Sequence, residues 1–193
     1  MDPEPEERTM RLSPIERPAS ALMRLAYRIS RRQYGKVLAP LKVIYARKPR
    51  LLTISALIQR TLEKGLSLDP SLRLLVQAQA ARLNGCTFCQ DLALAEAVRR
   101  RLGAERFRDL ADYRASPAFT ERERAVLAFA EEATLRRQVS DETFAALRAH
   151  LSEKEIVEVV WVNAAENYFN LMAAVLRIES DGLAERLGAP ARS

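Results

Sequence analysis

The sequence predicts an all-α protein, and three observations carry that expectation. The apolar content is 48% of 193 residues but aromatics are only 6%, so the core material is mainly Ala and Leu, which favour helices over sheets. Only six glycines are present, few for hairpin turns. Apolar residues recur every three or four positions between clear capping signals, and no alternating strand pattern appears.

The elements follow in order. Residues 1–17 are charged, Pro-containing and aperiodic, and read as a disordered tail. Residues 18–50 read as a basic helical extension, with Leu22, Leu25, Ala26 and Ile29 at helical spacing up to about Tyr34. A domain over 51–188 follows. Its first helix runs from about Arg50 to Lys64 through Leu51, Ile54, Leu57 and Ile58, and Gly65 ends it. Asp69-Pro70 supplies an N-cap and a first-turn proline for a helix to Leu83, which Asn84-Gly85 stops. The next helix starts near Cys86 and reaches Leu102-Gly103, with a short helix over 104–113 behind it. Thr120 with Glu123, and Ser152 with Glu155, form capping boxes opening two further helices. Ser140 caps one between them that ends near His150, and the last helix extends to about Ile178. Short connections suit antiparallel packing.

Charge is concentrated at one end. Residues 1–50 carry twelve Lys/Arg and five Asp/Glu, a net +7, whereas the remainder carries −1. With one basic stretch and little aromatic interleaving, this predicts a solvated helix face rather than a nucleic-acid contact. No apolar run reaches the length of a membrane span. The acidic, Pro-rich start lacks signal-peptide character, so a cytoplasmic location is expected, where thiols are normally reduced.

The feature that carries chemistry is Cys86-Thr87-Phe88-Cys89. Behind Asn84-Gly85 it stands at a helix N-terminus, where two cysteines three apart can approach closely enough to bond. Unpaired N–H groups and the positive dipole end favour a thiolate at Cys86. A second thiol then resolves the sulfenic acid or mixed disulfide formed on the first. Structural zinc needs four ligands, and two Cys plus the distant His150 do not supply them; no cofactor is implied. The plainer alternative is two small buried hydrophobes. Trp161, Tyr168 and Phe169 read as core or subunit interface rather than a substrate box.

The stretch from Arg82 to Cys89, the segment Phe119–Ala130, the run Val139–Glu158 and the Asn163–Asn170 helix resemble, in the same order, the carboxymuconolactone decarboxylase/alkylhydroperoxidase (AhpD-like) superfamily. The resemblance covers about residues 35–180. It implies a multi-helix bundle, usually a homo-oligomer (dimer, trimer or hexamer). It further implies a thiol-dependent antioxidant oxidoreductase, a peroxidase or disulfide reductase acting on a hydroperoxide or disulfide and recycled by a thiol reductant. In such members a Glu and a His relay protons to the second cysteine, which attacks, and the first resolves. That would make Cys89 the attacking thiol, whereas the dipole argument favours Cys86. The relay residues are absent: Leu74 stands at the Glu position and Ala93 at the His position. Asp91 and Glu166 are candidate substitutes. Two alternatives stand beside this reading. One is a non-enzymatic oligomeric scaffold, marked by cysteines away from any cavity. The other is a carboxymuconolactone decarboxylase-type lyase, for which no convergent His/Arg/Glu set is evident.

Overall fold

The structure, a computed structural model, describes residues 10–188. Helix α1 (Ala21–Tyr34) is followed by a π turn (Leu41–Tyr45), α2 (Pro49–Lys64), α3 (Pro70–Leu83) and α4 (Thr87–Arg100). Two 3₁₀ turns, Ala104–Phe107 and Asp109–Asp112, lead to α5 (Glu121–Arg136), α6 (Asp141–His150), α7 (Glu153–Val175) and the single turn α8 (Leu183–Arg186). No strand occurs among the described residues.

Helix α3 is the axis of the bundle. Nine of its residues, from Leu72 to Ala81, are buried, as expected of a helix enclosed by others rather than lying on a surface. Its start is secured by Asp69, whose carboxylate accepts from the N–H groups of Ser71 (2.8 Å) and Leu72 (3.3 Å). One side packs on α5, α6 and α7 through Leu72, Val76, Val126, Leu147, Val159 and Val162. Another packs on α4, the 3₁₀ segment and α5 through Leu75, Ala78, Ala97, Leu110, Tyr113 and Leu127.

Both predicted capping boxes form, at Thr120/Glu123 and Ser152/Glu155. The expected helix over 104–113 is instead the pair of 3₁₀ turns, because Gly103 (φ +72°) redirects the chain and the segment is too short to sustain α-helical bonding. Helix α7 ends at Val175 rather than near 178, and Arg177 takes a left-handed conformation (φ 52°).

The part of the expected tail that lies within the described residues, 10–17, is held against the bundle. The Arg11 N–H donates to Leu176 O (3.1 Å), the Ile15 N–H to Lys42 O (3.1 Å), and the Tyr27 hydroxyl to Ile15 O (2.5 Å). These bonds replace the hydration on which disorder depends; residues 1–9 lie outside the described residues. The basic extension shares a core with the domain. Met23, Tyr27, Val43 and Ile44 pack in one cluster with Cys86, Phe88, Cys89 and Ala173.

Candidate functional site

The turn between α3 and α4 creates the site. Asn84 ends α3, Gly85 takes φ +64°, and Cys86 becomes the N-cap of α4. A Cβ at Gly85 would meet nothing within 4 Å, so glycine is favoured there by its backbone conformation alone. Cys86 and Cys89 are joined by a disulfide, with Cα atoms 5.3 Å apart. Cys86 Sγ also accepts from the Cys89 N–H (3.3 Å), capping the helix as an oxygen would.

Both cysteines are buried, Cys89 at 7% exposure, but they differ in what they border. Cys86 is 1% exposed and enclosed by the core, while Cys89 lines a cavity of about 650 Å³ bounded by α1, the π turn, α2, α3, α4 and α7. Leu74 and Ala93 line the same cavity. The positions where the resemblance expects a Glu and a His therefore both face the space beside Cys89, and both are apolar.

Glu166, on α7, lines this cavity and is buried. Burial pushes its carboxyl up to about 7, opposed by hydrogen bonds from Asn170 Nδ2 (2.6 Å) and Gln77 Nε2 (3.2 Å). Asn170 in turn accepts from Asn84 Nδ2 (3.0 Å), which also donates to Asn167 Oδ1 (2.9 Å). A polar chain thus connects the turn bearing Cys86 to the buried acid. A carboxyl that titrates near neutrality can hold or release a proton at ordinary pH.

Asp91 is placed differently. Its two oxygens accept from the N–H groups of Leu183 and Ala184 (2.8 Å each), so it caps α8 and does not line the cavity. His150 ends α6 on the exposed surface. Phe169, read as core or interface, is a cavity-wall residue, while Trp161 is 41% exposed. Among the described residues no group of His, Cys, Asp or Glu is arranged to hold a metal ion. None of their helices is long and apolar enough to cross a membrane.

Sequence reasoning missed Gln77, Asn84 and Asn170. Gln77 lies one turn beyond Leu74 on α3, and only its meeting with Glu166, 89 positions away, reveals its part.

Comparison with known proteins fits this arrangement. Residues 53–132 match the Carboxymuconolactone decarboxylase family. The chain carries both cysteines and the turn between α3 and α4 within that match. It is 29% identical over 157 residues to the uncharacterized protein YnjA of Escherichia coli, covering 80% of this chain and 86% of that one. A protein of unknown function from Agrobacterium tumefaciens, provisionally described as an AhpD antioxidant-defence protein, superposes with a TM-score of 0.68 at 28% identity, over 72% of this chain and 96% of that one. A cysteine-to-alanine variant of the debrominase Bmp8, bound to 2,3,4-tribromopyrrole, shares the fold at 16% identity with a TM-score of 0.78, over 93% of this chain and 96% of that one.

Proposed function

We propose that the protein is a thiol-dependent oxidoreductase that reduces hydroperoxides at Cys89, with Glu166 in place of the missing Glu/His relay. The observation that carries this reading is that Cys89, paired with Cys86, shares one cavity with a buried acid whose carboxyl titrates near 7.

In the reduced protein Glu166 takes the Cys89 proton, directly or through water. The thiolate attacks the outer oxygen of the hydroperoxide: a sulfur–oxygen bond forms, the oxygen–oxygen bond breaks, and the leaving alkoxide takes up a proton to become the alcohol. Cys86 then attacks the sulfenic sulfur of Cys89, the disulfide forms, and the hydroxyl leaves as water with the Cys86 proton. A small dithiol returns two electrons and two protons to the pair. Cavity access favours Cys89 as the attacking sulfur, and the helix N-terminus favours Cys86 as the group that leaves as a thiolate on reduction.

A scaffold reading expects a cysteine pair away from any cavity, and Cys89 on the wall argues against it. A lyase reading gains Arg73 and Glu166 at the wall but no histidine. Exposure of reduced protein to cumene hydroperoxide tests the proposal. Wild type should lose both thiols and gain the disulfide. Cys86→Ser should accumulate a dimedone-reactive sulfenic acid at Cys89, and Cys89→Ser should accumulate none. Thiols untouched at neutral pH would end the reading.

A further inference from the structure

Arg73, in the first turns of α3, is 5% exposed and lines the cavity. Its Nη1 donates to the carbonyl of Leu62, and its Nε is buried with no partner. Among the described residues it makes no ion pair. Glu63 and Glu96 are near enough to act on its charge, as is Arg100. Glu96, however, is already held by Arg99 and Arg100, and Glu63 is exposed. A guanidinium is rarely buried without a counter-ion, because its desolvation is costly.

The wall also has a polarity along its length. Cys89, Ala93, Glu96 and Arg99 recur on one face of α4 and all line the cavity. Glu96 lies seven helical steps beyond Cys89, a span of about 10 Å. Arg73 stands toward the Glu96 end, since its neighbours Leu74 and Leu75 pack with Ala93 and Ala97 while Ala81, further along α3, packs with Cys89. Between the ends the wall is made of apolar side chains such as Leu74, Leu92 and Ala93.

We propose that this cavity binds an apolar monocarboxylate, its carboxylate on Arg73 and its reactive group near Cys89. A single guanidinium matches one carboxylate, which it can hold through two parallel N–H donors. A dianionic phosphate would leave a second charge beside Glu96. In the hydroperoxidase reading, on which the reactive end rests, the substrate is then a fatty-acid-like hydroperoxide rather than a neutral one. The head-group assignment rests on Arg73 itself.

Titration calorimetry at pH 7 with decanoate and 1-decanol, on the disulfide form of the full chain, tests this without any thiol chemistry. Decanoate should bind at least about tenfold more tightly than 1-decanol, as one charge-assisted contact allows. Arg73→Gln should bring decanoate to the level of 1-decanol, and Arg73→Lys should keep part of the preference. Unchanged 1-decanol binding verifies the fold of each variant; if a variant fails to fold, the wild-type comparison decides. Equal binding of the two probes, no binding of either, or a preference that survives in Arg73→Gln would overturn the assignment. Carboxylate preference in a protein whose thiols ignore peroxide would leave it standing while removing the hydroperoxidase reading. Thiol oxidation without that preference would do the reverse.

Discussion

Asn170 donates a 2.6 Å hydrogen bond to Glu166 one turn before it on α7, and it is the link through which Asn84, two residues ahead of Cys86, reaches that acid. The acid and the redox turn are therefore fixed to each other by side chains rather than by backbone proximity. In the motif that this chain resembles, the relay acid precedes the cysteines on the helix before them. Here Leu74 occupies that place, and the acid enters the same cavity from α7.

Glu166 should make stability depend on pH. Its carboxyl is raised from the ordinary value of 4.5 to about 7 by burial. Between those values the folded protein binds a proton that the unfolded chain releases. Stability therefore falls as pH rises through that window, and the full penalty is present above about 7. The penalty is on the order of 3 kcal/mol. Glu166→Gln lacks it, so the variant's stability relative to wild type should grow from pH 5 to pH 8 by about that amount. Urea unfolding of both proteins at the two pH values measures the difference; a pH-independent difference would place the titration elsewhere.

Glu158 should be structurally necessary. Its carboxylate accepts from the Ser67 N–H (3.0 Å), the Ser67 hydroxyl and the Leu68 N–H (2.7 Å), closing the turn between α2 and α3. Glu158→Ala should cost about 2–3 kcal/mol by leaving N–H donors unpaired, and Glu158→Gln less. Chemical unfolding at pH 7 reads both.

Helix α7 should carry a contact between copies of the chain. Val157, Val160, Trp161, Leu171 and Val175 are 41–67% exposed and recur along one outer stripe. An apolar stripe of that length is seldom left in water. Light scattering should give wild type a mass above the 21.8 kDa chain, and Trp161→Glu should lower it. A wild-type monomer would show that the stripe is not a self-contact.

Helix starts were the most legible part of the fold, because Asp69, Thr120, Ser140 and Ser152 cap by local bonds that sequence spacing encodes directly. The π turn over 41–45 and the four-residue α8 were not legible, since neither is long enough to show a period. Within the site, the cysteine pair could be read from its motif and Glu166 as a candidate acid. Asp91 could not be told from a catalytic acid, because its partners Leu183 and Ala184 lie some ninety positions away. Arg73 and Gln77 were hidden for a related reason: a polar residue on an enclosed helix looks like a surface residue until its neighbours are known.

The claim that Glu166 activates Cys89 is tested most directly by the pH dependence of thiol oxidation in reduced wild type and Glu166→Gln, followed by stopped flow with cumene hydroperoxide. In wild type the rate should rise through about pH 7 as the carboxyl ionises. In Glu166→Gln it should fall by roughly 10²–10⁴ at pH 7 and rise only as the thiol itself ionises at higher pH. An unchanged rate and an unchanged profile in the variant would contradict the account.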